Sequence, residues 1–161
     1  MIAVYGLAVL SIILFFYILQ VRLRKYGVTI VTTRQGDRPI GITVSAFTSV
    51  SMEPPLVLVA IFKSSSISRP IIESNLFTVN LLPEDAAQLS QLFASNEKPT
   101  NVFEAGPYPY ITQSLASLGC SLWKIVDAGD HWLFLGLVRD VKVRRHGKPL
   151  VYHERQYTTT C

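Results

Sequence analysis

The sequence predicts a mainly β chain: a small antiparallel barrel with two or three short helices, preceded by an apolar N-terminal helix. Three observations carry that reading. After residue 26, β-branched and apolar residues fall in short runs separated by turn residues at regular spacing. Only two later segments have helical character. The strand–helix alternation and GxGxxG turn of a doubly wound dinucleotide fold are absent. The 161 residues suit one compact domain, and a hydrophobic content of 49% excludes disorder.

The first element is the N-terminal helix. Residues 2–21 hold 17 apolar residues, interrupted only by Gly6, Ser11 and Gln20, and Arg22, Arg24 and Lys25 follow. A helix of about 20 residues spans the roughly 30 Å hydrocarbon layer of a bilayer. Cations at its C-terminal end would hold the following domain in the cytoplasm. The expectation is therefore a membrane anchor in 1–26 and a cytoplasmic domain in 27–161. A buried helix, or a start codon upstream of the native one, are the competing readings. Beyond residue 26 the basic excess nearly vanishes, which argues against nucleic-acid binding.

Val28–Thr33 is almost wholly β-branched and reads as a strand. Gln35-Gly36-Asp37-Arg38 turns the chain into Ile40–Val50, read as one strand with Ile40, Ile42 and Val44 on one face. Pro54-Pro55 stops it. Leu56–Phe62 is a continuous apolar run, expected to be a strand buried on both faces. Pro70 in a first turn supports a short helix over Ser68–Ser74. Phe77–Leu82 is a strand. Glu84–Ala94 is a helix with its acids in the first turn. Residues 95–110 form a loop. Ser117–Val126, Trp132–Arg144 and Leu150–Tyr157 complete the strands, with His146-Gly147-Lys148-Pro149 turning between the last two. Cys120 reads as a core residue and Cys161 as an exposed one, so no disulfide framework exists.

Three clusters could carry chemistry. Thr43, Ser45, Ser49 and Ser51 would share a face of a regular strand, as a ligand-binding row or as an ordinary solvated face. Lys63, Ser64, Ser65 and Ser66 leave a strand and approach a helix, where hydroxyls, amides and cations suit a phosphate; a flexible serine loop is the alternative. His131 follows Asp130 directly. In a strand their side chains would point apart, so no charge-relay pair is expected, and His131 is either a ligand-facing imidazole or a structural one. His131, His146 and His153 lack metal-ligand spacing, so no metal site is expected.

In order, these clusters resemble the flavin reductase family, the small reductase component of two-component flavin monooxygenases. The matching stretches are Gly27–Thr33 (GVTIVTT), Gly41–Pro55 (GITVSAFTSVSMEPP), Lys63–Ser66, Ala128–Val138 (AGDHWLFLGLV) and Pro149–Tyr152 (PLVY). The resemblance implies a split β-barrel and a homodimer with FMN, or FAD, near the subunit interface. It implies reduction of that flavin by NADH or NADPH, with a monooxygenase as partner. Thr43, Val44, Ser45 and Ala46 would then line the isoalloxazine edge, largely through backbone groups. Ser49 and Ser51 would face the ribityl-phosphate side, and Lys63, Ser64, Ser65 and Ser66 the phosphate. His131 would sit by the nicotinamide or flavin ring, with Tyr152 at the same mouth. The alternative is a flavin-binding or carrier protein without reductase activity.

Overall fold

The computed structural model describes residues 27–160. The expected apolar helix and anchor, and Cys161, lie outside the described residues. In chain order the elements are β1 (Thr29–Gln35), β2 (Arg38–Val44), β3 (Phe47–Met52), β4 (Pro55–Phe62), α1 (Ser68–Ser74), β5 (Leu76–Leu81), α2 (Ala87–Ala94), β6 (Ala116–Ala128), β7 (His131–Val143), β8 (Leu150–His153) and β9 (Gln156–Thr159). Among the described residues, no helix is long and apolar enough to cross a membrane.

Seven strands form one sheet in the order β2-β1-β5-β6-β7-β4-β3, and β8 pairs with β9. Every pairing in the sheet is antiparallel. Strands lie about 4.8 Å apart, so a flat sheet would hold its edges β2 and β3 about 29 Å apart. Yet only Ser45 and Ala46 join those edges, and the step from Val44 to Phe47 spans at most about 11 Å. The sheet must therefore roll up until its edges meet. One bond on each side ties down the corner: Thr29 Oγ1 of β1 donates to the Val44 carbonyl at 2.6 Å, and Ala60 N–H of β4 donates to the Ala46 carbonyl at 3.0 Å.

Val31, Val59, Phe77, Leu118 and Phe134 fill the inside of the roll. Outside it, Leu89 and Phe93 of α2 pack on Val28, Ile30, Leu82 and Leu150. The start of β1 is thus buried on both faces, which accounts for its near-continuous β-branched sequence.

Four local expectations are corrected. Ile40–Val50 is two strands on opposite edges of the sheet, because the chain turns the corner at Ser45-Ala46. β4 is not buried on both faces: Val57, Val59 and Ile61 are buried, whereas Leu58 and Ala60 are half-buried and Phe62 is 54% exposed. Helix α2 begins at Ala87 rather than Glu84, since Glu84 N–H bonds the Lys148 carbonyl and Asp85 takes the Arg145 guanidinium. The last strand is a hairpin whose turn residues, Glu154 and Arg155, have φ of +48° and +64°. Neither is a glycine or asparagine, so no turn signal stood in the sequence.

Candidate functional site

The corner between β2 and β3 is the first half of the site. Ser45 and Ala46 are exposed and belong to neither strand. Their amides have no backbone acceptor among the described residues, so two N–H groups stay available at the corner. On one side lies an open, mainly apolar cleft of about 380 Å³ lined by Ser45, Ala46, Phe47, Thr48, Leu58 and Ala60. On the other lies a cleft of about 260 Å³ that includes Thr43, Ser45, Ser90, Tyr152 and Tyr157.

The second half stands at the C-terminal end of β4. Ala60 is bonded to the corner, and Phe62 is two residues further on, roughly 7 Å along the strand. Phe62 lies directly opposite His131, the first residue of β7, and their ring centroids are 3.9 Å apart at 37°. Lys63 then holds the β6–β7 turn in three ways. Its amide donates to the Asp130 carbonyl at 2.9 Å. Its Nζ meets Asp127 Oδ1 at 2.7 Å and lies 4.5 Å from the centre of the Trp132 ring.

His131 Nδ1 is 2.7 Å from Asp130 Oδ1, contrary to the expectation that neighbouring side chains diverge. That expectation required both residues to be in a strand. Asp130 belongs instead to the turn, after Gly129 at φ +68°, and its carboxylate folds back on its neighbour. The hydrogen bond from His131 holds the Asp130 carboxyl below its ordinary range. A carboxylate only accepts, so Nδ1 carries the proton and Nε2 is left for another partner.

The structure brings together Val44, Ser45, Ala46, Lys63, Ser64, Ser65, Ser66 and His131 at one end of the sheet. Val44 is buried beneath the corner. Tyr152 joins Thr43 and Ser45 in the second cleft. Thr43 Oγ1 is already committed, donating to the Ser90 carbonyl at 2.6 Å. The hydroxyl row does not exist as one face. The corner breaks it after Ser45, and a β-bulge lies between Ser49 and Ser51. Ser49 and Ser51 sit opposite Val57 and Leu56, five and six residues before Phe62, or about 17 and 20 Å along β4. They stand apart from Lys63 along the strand. Phe62, Asp127 and Trp132 stand in the same sequence clusters as Lys63 and His131, but sequence reasoning gave them no role at this end. The one available signal was an aromatic residue placed between a buried strand and a serine turn. Among the described residues no three His, Cys, Asp or Glu side chains gather as a metal site.

Residues 21–160 match the model of the flavin reductase like domain. The reductase component of 4-hydroxyphenylacetate 3-monooxygenase from Thermus thermophilus is 39% identical over 132 residues, covering 81% of this chain and 86% of that protein. An NADH-dependent FMN reductase, AsuE2 of Streptomyces nodosus subsp. asukaensis, is 32% identical, with 83% and 77% covered. Among solved structures, the flavin reductase PheA2 superposes with a TM-score of 0.79 at 39% identity, covering 84% of this chain and 90% of that one. With a domain match over nearly the whole chain and these likenesses in both sequence and fold, the chain belongs to the flavin reductase like family.

Proposed function

We propose that the β2–β3 corner binds FMN, or FAD, and that a hydride passes there from the nicotinamide of NADH or NADPH to the flavin. One observation carries the placement: a corner whose two amides have no acceptor among the described residues borders an apolar cleft, and the His131 imidazole stands at the start of β7, opposite Phe62 and two residues along β4 from the Ala60 that bonds the corner. A flavin fits such a place, having an apolar ring face and a polar edge of carbonyls and nitrogens. When bound it supplies the hydride acceptor, and the protein supplies geometry and local charge.

The amides of Ser45 and Ala46 donate to the polar ring edge, with Thr43 and Val44 shaping the backbone beneath. Leu58 and Ala60 give the ring an apolar floor. Lys63, Ser64, Ser65 and Ser66 take the phosphate. Lys63 leaves Asp127 to do so at modest cost, because Asp127 is exposed and the half-buried lysine is still reached by solvent. His131 accepts, through Nε2, from the carboxamide N–H of the nicotinamide, and so sets where the hydride donor lies. Holding both rings at reacting distance is the main contribution required of the protein. Reduced flavin then goes to a monooxygenase partner.

The outer face of the sheet supports a homodimer. Leu58, Leu133, Leu135 and Leu137 are half-buried there beside exposed Trp123 and Phe62, a surface that a second copy would cover. Residues 2–21 would fix this cytoplasmic domain to a membrane, a proposal that rests on their sequence alone. Retention in the membrane fraction through a carbonate wash supports the anchor, and a freely soluble full-length chain removes it. The central experiment mixes the purified chain with FMN and NADH and follows the loss of NADH absorbance. NADH consumption that requires added flavin is the expected result. Tight flavin binding without NADH consumption would make the chain a carrier.

A further inference from the structure

His131 is held from two directions. Asp130 fixes its Nδ1 in the ring plane, and Phe62 covers one face of the ring at 3.9 Å. The contact is set by register, because Phe62 and His131 are direct partners across the β4–β7 ladder and such pairs bring side chains together on one face. Phe62 is a costly residue to leave 54% exposed. Its neighbours Leu58 and Ala60 form the cleft floor on the same side of β4, so the aromatic ring stands at the end of that floor.

We propose that Phe62 is a positioning residue, which holds the His131 ring in one plane and one tautomer so that Nε2 alone faces the nicotinamide. The inference rests on the reading of His131 given above. It differs from a general packing role because the Lys63 amide secures the turn separately, through the Asp130 carbonyl, whichever partner its ammonium takes. Removing the Phe62 ring therefore leaves the turn in place and frees the imidazole.

The test compares Phe62→Leu, Phe62→Tyr and the parent chain, each saturated with FMN. Phe62 lies outside the buried core, so folding is expected to survive both substitutions; the flavin Kd and the oligomeric state check it. An exposed aromatic stack corresponds to roughly a two- to tenfold effect. Phe62→Leu is expected to raise the KM for NADH by about that factor, with a smaller change in kcat and an unchanged flavin Kd. Phe62→Tyr is expected to restore the parent KM. Imidazole nitrogen NMR should show the parent and Phe62→Tyr with Nδ1 protonated, and Phe62→Leu averaging between tautomers. A parent-like KM and tautomer in Phe62→Leu would overturn the proposal, as would equal damage from both substitutions. If the parent itself consumes no NADH, the functional reading fails, and the NMR comparison still decides whether Phe62 orients the ring.

Discussion

At the scale of single residues, the largest polar commitment lies away from the site. Asn80 is fully buried and uses both ends of its amide. Its Nδ2 donates to the Ile30 carbonyl at 2.9 Å and to Thr78 Oγ1 at 2.8 Å. Its Oδ1 accepts from the Ile111 amide at 2.9 Å and from Ser117 Oγ at 2.8 Å. Asn80→Ala takes their partner from the buried Ile111 amide and the Ile30 carbonyl and leaves Ser117 Oγ with Ser114 Oγ alone. A loss of about 2–4 kcal/mol in urea unfolding is expected, since each orphaned buried group costs about 1–3 kcal/mol. At the site, His131→Ala should raise the KM for the nicotinamide or lower turnover, while FMN titration gives nearly the parent affinity. Flavin loss with normal turnover at saturating flavin would place the imidazole on the flavin instead. For Lys63 two magnitudes compete. A charge-assisted phosphate contact is worth about 1.5–3 kcal/mol, and the exposed Asp127 pair surrendered for it about 0.2–1. Lys63→Ala should therefore weaken FMN binding about two- to a hundredfold. Undiminished affinity would leave Lys63 as a brace for the turn only. Lys63 and Ser64–Ser66 were legible because they are contiguous. The Asp130–His131 pair was not, because it depends on the left-handed backbone of Gly129.

At the scale of elements, packing tolerances and turn chemistry set the expectations. Gly136 of β7 lies where Phe77 of β5 crosses the inside of the roll. A Cβ there would stand 2.4 Å from Phe77 Cζ and 2.7 Å from Cys120 Cβ. Gly136→Ala should cost about 1–3 kcal/mol by overpacking, read as a lower unfolding midpoint. The β8–β9 turn is improvable in the opposite direction. Asn-Gly in place of Glu154-Arg155 relieves two left-handed residues and should add about 1 kcal/mol. The long loop before β6 is tied to β7 by Glu104, which meets Lys142 Nζ at 2.9 Å and Arg144 Nη1 at 2.6 Å. Burial alone would raise this carboxyl, but hydrogen bonds from Lys142 and Arg144 outweigh it and hold the pKa below its ordinary value. A lowered folded-state pKa stabilises fully above the unfolded value and is lost as the pH falls through the folded one. The parent chain should thus lose stability in acid more steeply than Glu104→Gln, in unfolding midpoints measured on both at neutral and acid pH. Both helices were visible in the sequence, α1 with its exact bounds. The late start of α2 was not, because Glu84 and Asp85 answer to Lys148 and Arg145, more than sixty positions away in the chain for the first pair.

At the scale of the whole molecule, the mainly β antiparallel class was readable from short β-branched runs and their turns. The roll was not. Nothing in Ile40–Val50 signals that its halves belong to opposite rims of one sheet, because both halves satisfy the same alternation. What decides the break is the arrival of β5, β6 and β7 between them, a non-local event. That strand order also governs how the molecule comes into being during synthesis. β1–β2 and β3–β4 can each close as local hairpins soon after they leave the ribosome. They remain two separate ribbons, each with an unpaired flank, until β5 reaches β1 and β7 reaches β4. Nearly every residue proposed to touch flavin precedes residue 67, yet none can be placed until the chain has been made to residue 143. The corner that would hold the cofactor is therefore the last stitch of folding, and a nascent chain cannot capture flavin early. In refolding followed by flavin fluorescence and pulse-labelled amides, FMN binding should appear only after protection has reached β5, β6 and β7.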